Sequence, residues 1–289
     1  MILFSPRYFI DLYQSSIREE RYNTRQKQIE EIISHVLNIS KYELYLQQYF
    51  KISLQQYETI FHYFNRRRIG EPLQHILKSV QFRNLHLYVD RGVFIPRRET
   101  EQLIDITFNY ISKFTKKIVD IGTGSGAIAL SLMLERPVNF QYSVLGIDIN
   151  DFAIQIANKN KSLNEIVEVE FEKSNLLEII DNNSIDIIVA NLPYLSTESY
   201  KKLPYNVKYF DPKLALDGGF DGLCYIKRVF SQLITKMKHK GYIIIEIDSK
   251  QFEEIKYFIS NFYPVNFKIL NCFRDCNNIM RFVVLRFYR

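Results

Sequence analysis

The 289-residue sequence predicts an α/β protein: a doubly wound, mainly parallel sheet with a small helical bundle in front of it. Two observations carry this. From Lys117 onward, short β-branched runs alternate with amphipathic helical stretches, the pattern of crossover units that build parallel sheets. From about residue 6 to 77 the chain instead reads as successive helices and holds almost no glycine. Hydrophobic residues at 47% and charged residues at 24% are ordinary for a globular protein. The length suffices for one large domain and a smaller one.

In the bundle, Ile29, Ile32, Ile33, Val36 and Leu37 recur at helical spacing on one face. Ser53 with Gln56 forms a capping box that opens a helix with an apolar face of Leu54, Tyr57, Ile60, Phe61 and Phe64. Gly70, followed by Glu71-Pro72, closes it. Arg66-Arg67-Arg68 is the one compact cationic run and reads as a solvated helix end. From 80 to about 93 the pattern turns to alternation (Phe82, Leu85, Leu87, Val89), with Asp90-Arg91-Gly92 as a turn, which predicts a β-hairpin or extended connector.

A helix is expected from about 100 to 112, then strand Lys117-Ile118-Val119-Asp120-Ile121, the turn Gly122-Thr123-Gly124-Ser125-Gly126, and a helix over 127–135. A strand over 142–147 ends in Asp148, a helix covers 151–161, and a strand over 167–171 leads to Ser174-Asn175-Leu176. The run Ile185-Asp186-Ile187-Ile188-Val189-Ala190 reads as a buried strand, and Asn191-Leu192-Pro193-Tyr194 stands at its C-terminal end, where open α/β sheets place ligands. The segment to Leu216, with two prolines and several aromatics, reads as a substrate-side loop. A helix with Leu223, Ile226, Val229, Phe230, Leu233, Ile234 and Met237 on its buried face follows. Strand 242–247, a helix near 250–260 and strands near 266–271 and 279–287 finish the sheet.

Two anchors carry the chemistry. Asn191 offers one carbonyl acceptor and one amide donor, Pro193 stiffens the turn, and Tyr194 supplies a flat face. Together they suit a flat, conjugated NH2 group, although an ordinary strand-ending turn is the plain alternative. In the second anchor, Gly122, Gly124 and Gly126 let the backbone turn tightly and approach a ligand, and Asp148 lies where a carboxylate accepts ribose hydroxyls. Gly122-x-Gly124-x-x-Ala127 also satisfies the dinucleotide pattern of nicotinamide enzymes. Asp120 before the first glycine suits a cationic amino-acid moiety rather than a pyrophosphate, and hydride transfer has no need of the Asn-Leu-Pro-Tyr turn. The combination therefore points to S-adenosylmethionine, whose amino group and ribose need the two carboxylates.

These residues resemble the HemK-type glutamine N5-methyltransferases that modify peptide-chain release factors. The likeness runs from about residue 70 through Glu71-Pro72-Leu73-Gln74-His75-Ile76 and Ile95-Pro96-Arg97-Arg98-Glu99-Thr100-Glu101. It continues over Asp120 to Leu130, Asp148 and Asn191-Leu192-Pro193-Tyr194. It ends with Asp211-Pro212-Lys213-Leu214-Ala215-Leu216-Asp217-Gly218-Gly219-Phe220-Asp221-Gly222-Leu223 and Glu246-Ile247. The resemblance implies a helical substrate-recognition domain (1–78), a β-hairpin linker (79–93) and a seven-stranded, mostly parallel, Rossmann-like class I methyltransferase sheet (94–289). It implies methyl transfer from S-adenosylmethionine to the Gln side chain of the Gly-Gly-Gln motif in class I release factors. Asn191 and Tyr194 are the expected catalytic residues, and residues 191, 192, 193 and 194 the substrate site. Asp120, Gly122, Thr123, Gly124, Ser125, Gly126, Asp148, Asn175, Leu176 and Asn191 are the expected cofactor contacts. Three positions depart from the family pattern: Leu192 for the first Pro of Asn-Pro-Pro-Tyr, Asn175 for a common Asp, and Asp248 for Gly.

Two rivals stand beside this reading. Asn-Leu-Pro-Tyr is also similar to rRNA adenine dimethyltransferases, so an adenine or cytosine amino-methyltransferase on rRNA or DNA is the alternative; neither a strongly basic domain nor a known reader motif accompanies it. A non-catalytic protein that kept the fold is the other. The formal charge of +6 is a mild basic excess. Residues 1–7 show no charged segment leading into a long apolar run, and no stretch approaches the roughly 20 apolar residues that span a bilayer. Cys224, Cys272 and Cys276 are odd in number and widely spaced, which suits reduced thiols in the cytoplasm. No metal site, membrane association or nucleic-acid requirement is expected, and the protein is expected to be a monomer.

Overall fold

Helix caps and apolar periodicity build the first of two units into which the chain divides, Met1–Lys78 and Ser79–Arg289. The computed structural model describes residues 1–13 and 22–289, so the part of the expected helical stretch at 14–21 lies outside the described residues. In the first unit, α1 (Pro6–Tyr13), α2 (Tyr22–Leu37), α3 (Lys41–Leu46), α4 (Leu54–Arg68) and α5 (Leu73–Leu77) accompany two short strands, β1 (Ile2–Phe4) and β2 (Phe50–Ile52). The strands pair antiparallel, which the helical periodicity around them did not announce. The Ser53–Gln56 capping box is present at the start of α4. Ile60 and Phe64 are fully buried, whereas Phe61 is 39% and Leu54 61% exposed. At 100° per residue, positions 61 and 54 rotate progressively off the stripe centred on 60 and 64, which explains the gradient. Arg66 is not a solvated helix end: its guanidinium makes a two-point pair with the buried carboxylate of Glu71, at 2.8 and 2.7 Å.

The second unit begins with a hairpin, β3 (Ser79–Phe82) and β4 (Leu85–Tyr88), whose Phe82, Leu85 and Leu87 are buried in this unit's core. Helix α6 (Glu101–Phe108) follows a single 3-10 turn at Arg98–Thr100. The remaining strands are β5 (Lys117–Ile121), β6 (Ser143–Asp148), β7 (Val169–Lys173), β8 (Ile185–Asn191), β9 (Met237–Glu246), β10 (Phe267–Arg274) and β11 (Met280–Phe287). They form one seven-stranded sheet in the order β10-β11-β9-β8-β5-β6-β7, in which β11 pairs antiparallel to both neighbours and the other pairs are parallel. Helices α7 (Ala127–Leu134), α8 (Asp151–Leu163), α12 (Cys224–Lys236) and α13 (Phe252–Phe262) connect them. The central strands β5 and β8 are buried almost throughout, matching their continuous apolar runs, and each fully buried aliphatic side chain stabilises by about 1.5–3 kcal/mol.

Two boundaries differ from expectation. Strand β9 starts at Met237 rather than near Tyr242, because Met237 already pairs with Ile185; a register shift follows between Ile185 and Ile187. The segment after Tyr194, expected as a loop, holds three short helices: α9 (Thr197–Lys201), α10 (Tyr205–Phe210) and α11 (Lys213–Leu216). Pro204 and Pro212 occupy the positions just before α10 and α11, where a missing N–H costs little.

Candidate active site

Strand order reverses between β5 and β8, with β6 and β7 on one side and β9 on the other. Doubly wound sheets bind ligands in the crevice that such a reversal opens at the carboxyl ends of the strands. A cavity of about 290 Å³ lies there. Its lining includes Gly122, Thr123, Gly124 and Ser125, Asp148, Asn175 and Leu176, and the whole of Asn191-Leu192-Pro193-Tyr194. Of the residues expected to bind, Asp120 and Gly126 do not line it.

The glycine turn is held by local backbone bonds. The amides of Gly122 and Thr123 donate to the Ile147 carbonyl at 2.8 and 3.0 Å, and Gly126 N donates to Thr123 O at 2.8 Å. Gly122, Gly124 and Gly126 have φ of +71°, +55° and +82°, a region that a side chain disfavours. A Cβ on Gly126 would also come within 2.8 Å of Phe171. Behind the turn, Asn160 on α8 is fully buried; its amide donates to Ser125 O and Tyr88 O, and its oxygen accepts from Tyr88 N. That one side chain ties the hairpin to the turn.

The two acids play different structural parts. Asp120 lies wholly buried beneath the turn, where Oδ2 accepts the Thr123 hydroxyl at 2.7 Å and Oδ1 has no partner. Burial pushes its pKa up to about 7, and the Thr123 hydroxyl pulls against that rise. Asp148 faces the cavity. Its Oδ2 accepts from Gly124 N at 3.0 Å and its Oδ1 from Asn150 N at 2.9 Å. Each oxygen keeps a further lone pair, so the carboxylate can still accept a pair of hydroxyls. Burial raises its pKa too, opposed by those backbone donors. Asn175 is engaged on both sides: it donates to Glu178 Oε1 at 2.6 Å and accepts from Arg228 Nη2 at 3.0 Å. Beside it, Leu176 has a φ of +54°, and its carbonyl accepts the Ser174 hydroxyl at 2.7 Å.

The other wall is the turn after β8. Asn191 Nδ2 donates to Thr100 Oγ1 at 3.1 Å, and Thr100 Oγ1 donates to Glu246 Oε2 at 2.8 Å. Leu192 turns inward, 6% exposed, and joins the core beneath; a Cβ on Gly122 would stand 3.2 Å from its Cδ2. The apolar core thus accepts Leu where the family pattern has Pro. Tyr194 is held by its carbonyl, which accepts from Gln251 Nε2 at 2.9 Å. Burial first, and then the charge of Glu246, keep its phenol pKa above the ordinary value, against Arg97 and Arg281. The ring is therefore a neutral face at pH 7. The loop at 217–222 braces this turn: Gly218 N donates to Leu195 O at 2.7 Å and Thr197 N to Gly219 O at 2.8 Å. Cβ atoms on Gly218 and Gly222 would come within 2.5 Å of Pro193 O and 2.3 Å of Tyr194 O.

Thr100, Glu246, Arg97 and Gln251 therefore belong to the site, although the sequence assigned them no role. Thr100, Arg97 and Glu246 stand in quoted motifs, but only the fold brings them to Asn191 or the cavity. Asp248, where the family pattern has Gly, accepts from Lys250 N at the start of a 3-10 turn and so aims Gln251. Among the described residues, no group of three or more His, Cys, Asp or Glu is placed to hold a metal ion, and no helix is long and apolar enough to cross a membrane.

The chain is similar to known proteins over most of its length. A family model described as methyltransferase domain matches residues 112–258, and one described as PrmC N-terminal domain matches residues 11–77. The release factor glutamine methyltransferase of Thermodesulfovibrio yellowstonii is 32% identical over 280 residues, 96% of this chain and 97% of that one. Its namesake from Buchnera aphidicola is 32% identical over 84% and 86%, and that from Streptococcus pneumoniae 38% identical over 63% of each chain. Among solved structures, the ribosomal protein L11 methylase of Lactobacillus delbrueckii subsp. bulgaricus covers 67% of this chain and 81% of its own, at 21% identity and a TM-score of 0.49. The 32% identity to the Thermodesulfovibrio protein over 96% of this chain leaves one conclusion: the chain belongs to the release factor glutamine methyltransferase family.

Proposed function

We propose that this protein transfers a methyl group from S-adenosylmethionine to the side-chain nitrogen of the Gly-Gly-Gln glutamine in class I peptide-chain release factors. The observation that carries this reading is the Asn191 carboxamide, whose nitrogen is committed to Thr100 and whose oxygen is left for the cavity. The cavity walls fit the methyl donor. The glycine turn, residues 122–125, brings backbone to the cavity wall, Asp148 keeps acceptors for ribose hydroxyls, and Asn175 with Leu176 borders the place for adenine. Asp120 and Gly126 support the turn from behind. Bound there, S-adenosylmethionine supplies a methyl group on a positively charged sulfur that keeps the bonding electron pair.

A carboxamide nitrogen is a poor nucleophile because its lone pair is delocalised into the carbonyl. Asn191 Oδ1 and the Leu192 carbonyl accept its two N–H hydrogens, which draws electron density onto nitrogen and stabilises the positive charge that grows there. Tyr194 packs against the amide plane and, as a neutral phenol, adds no charge. One N–H proton then leaves to solvent. Positioning and electrostatics carry the rate, without a strong base. The protein acts on its release factor as a cytoplasmic monomer without nucleic acid, and the helical unit at 1–78 recognises the substrate.

The test is transfer of labelled methyl to a class I release factor, to its Gly-Gly-Gln Gln→Ala variant, and to total RNA and DNA. Label on the wild-type factor alone is expected; label on nucleic acid with none on the factor would overturn the reading. Asn191→Ala should lower turnover by on the order of 10²-fold or more, as loss of one oxyanion-type partner does. Near-normal turnover in that variant would remove Asn191 from the chemistry.

A further inference from the structure

Asn191 meets its partners through an ordered chain of hydrogen bonds that reaches across three elements. Asn191 ends β8, Glu246 ends β9 directly beside it in register, and Thr100 closes the 3-10 turn that leads into α6. Glu246 is 4% exposed and Thr100 4% exposed, so the bond between them is buried, and the bond from Asn191 to Thr100 is partly buried. A carboxylate can only accept, and a hydroxyl has one proton to give. With that proton on Glu246, the Thr100 oxygen can only accept, so it must face the NH2 end of Asn191 rather than its carbonyl. Each link fixes the direction of the next.

We propose that Thr100 and Glu246 are positioning residues that dictate which end of the Asn191 carboxamide faces the cavity. The inference rests on the proposed methyl transfer to a glutamine amide, which needs a carbonyl oxygen there. An uncharged group at position 246 would break the logic: a Gln or a protonated Glu can donate to Thr100, Thr100 can then donate to Asn191, and the carboxamide is free to flip. A buried carboxylate is costly, and a fold that needed only a hydrogen-bond partner here would be served by an amide.

The groups around Glu246 are consistent with that charge. Burial raises its pKa most, the Thr100 hydroxyl, Arg281 on β11 and Arg97 before the 3-10 turn draw it down, Glu99 pushes it up, and Tyr194 faces it from the turn after β8. Burial outweighs them and leaves it at about 7. Below that pH the carboxyl is protonated and the chain loses its direction. Turnover should therefore fall as pH drops from 8 to 6.

The experiment compares wild type, Thr100→Val, Thr100→Ser and Glu246→Gln, with release factor as substrate. Thr100→Val should lower kcat by at least about tenfold, leaving KM for the factor and affinity for S-adenosylmethionine within about twofold. Thr100→Ser, which keeps the hydroxyl, should recover kcat to within about threefold of wild type. Glu246→Gln should abolish the acid limb of the kcat–pH profile. The side-chain NH2 resonance of Asn191, identified by its loss in Asn191→Ala, should move in Thr100→Val. Wild-type kcat in Thr100→Val, or equal impairment in Thr100→Ser, overturns the proposal, and an acid limb that survives in Glu246→Gln removes Glu246 from it. If wild type labels no release factor, the proposed function falls, and the Asn191 resonance alone then decides: a shift in Thr100→Val upholds the orientation and no shift refutes it.

Discussion

The two turns that meet at the cavity are secured in opposite ways. The glycine turn at 122–126 leans on its own strand neighbours, through the Ile147 carbonyl and through Asp148, 24 residues on, which reaches Gly124 N. The turn at 191–194 is secured from far along the chain. Thr100 lies 91 residues from Asn191, and Gln251 lies 57 residues from Tyr194. The loop at 217–222 presses on its carbonyls. A backbone shape can be written in the residues that adopt it. The aim of a side chain is written in whatever the fold happens to bring beside it. Damage to the two turns should accordingly separate: one should lose the methyl donor and the other should lose turnover.

Gly222→Ala should strike the second turn hardest. The added methyl would come within 2.3 Å of the Tyr194 carbonyl and 2.7 Å of Gln251 Nε2, at a φ of +76°. Backbone rather than a flexible side chain stands in the way, so the 191–194 turn must shift. A displacement near 1 Å at a positioned group can cost about 10²-fold in rate, and that is the loss of kcat expected. The strained φ should cost a further 1–2 kcal/mol or so of stability, read in a urea melt. Affinity for S-adenosylmethionine by calorimetry should stay within about twofold, since hydrogen bonds lost elsewhere leave Asp148 and the glycine turn intact. Normal turnover in this variant would show that the loop at 217–222 does not brace the turn.

Asp148→Ala should give the mirror image, with a smaller effect. It removes the two acceptors proposed for ribose hydroxyls, and hydrogen bonds to a charged group are worth about 1.5–3 kcal/mol, so affinity for the methyl donor should weaken about 10- to 100-fold. Turnover at saturating donor should change much less. Asp148→Asn sharpens the point: it keeps one acceptor and should fall between wild type and Ala. Equal affinity in all three proteins would take the ribose away from Asp148.

The uneven support of the two turns also explains what the sequence could disclose. Short continuous apolar runs and period-3.6 patterns placed the parallel strands and most helices, because both are set by burial on each element's own faces. The glycine turn was legible for the same local reason. Thr100 and Glu246 were not, because nothing in a hydroxyl before one helix and an acid ending one strand says that they are hydrogen-bonded to each other across 146 residues. Strands β1 and β2 escaped notice because three residues are too few to show alternation against helical flanks. Asp120 shows the limit from another side. Its place before the first glycine is visible in sequence, but whether its carboxylate faces the cavity or the core depends on Thr123, whose hydroxyl holds it beneath the turn.

Asn175 sets the lower bound of the comparison. It lines the cavity beside the place proposed for adenine and stands where an Asp is common, so a loss of binding on mutation is the natural expectation. The geometry argues otherwise. Its amide already donates to Glu178 and its oxygen already accepts from Arg228, both at the solvent-exposed edge of the cavity. A side chain spent on its neighbours has little left for a base. The backbone at Leu176, held in its left-handed conformation by the Ser174 hydroxyl, is the more rigid border of that wall. Asn175→Ala should therefore change affinity for S-adenosylmethionine by less than about threefold, the scale of an exposed hydrogen bond, and leave kcat unaltered. A tenfold loss would mean that the carboxamide lets go of Arg228 or Glu178 to meet the adenine, and that this wall rearranges when the methyl donor binds.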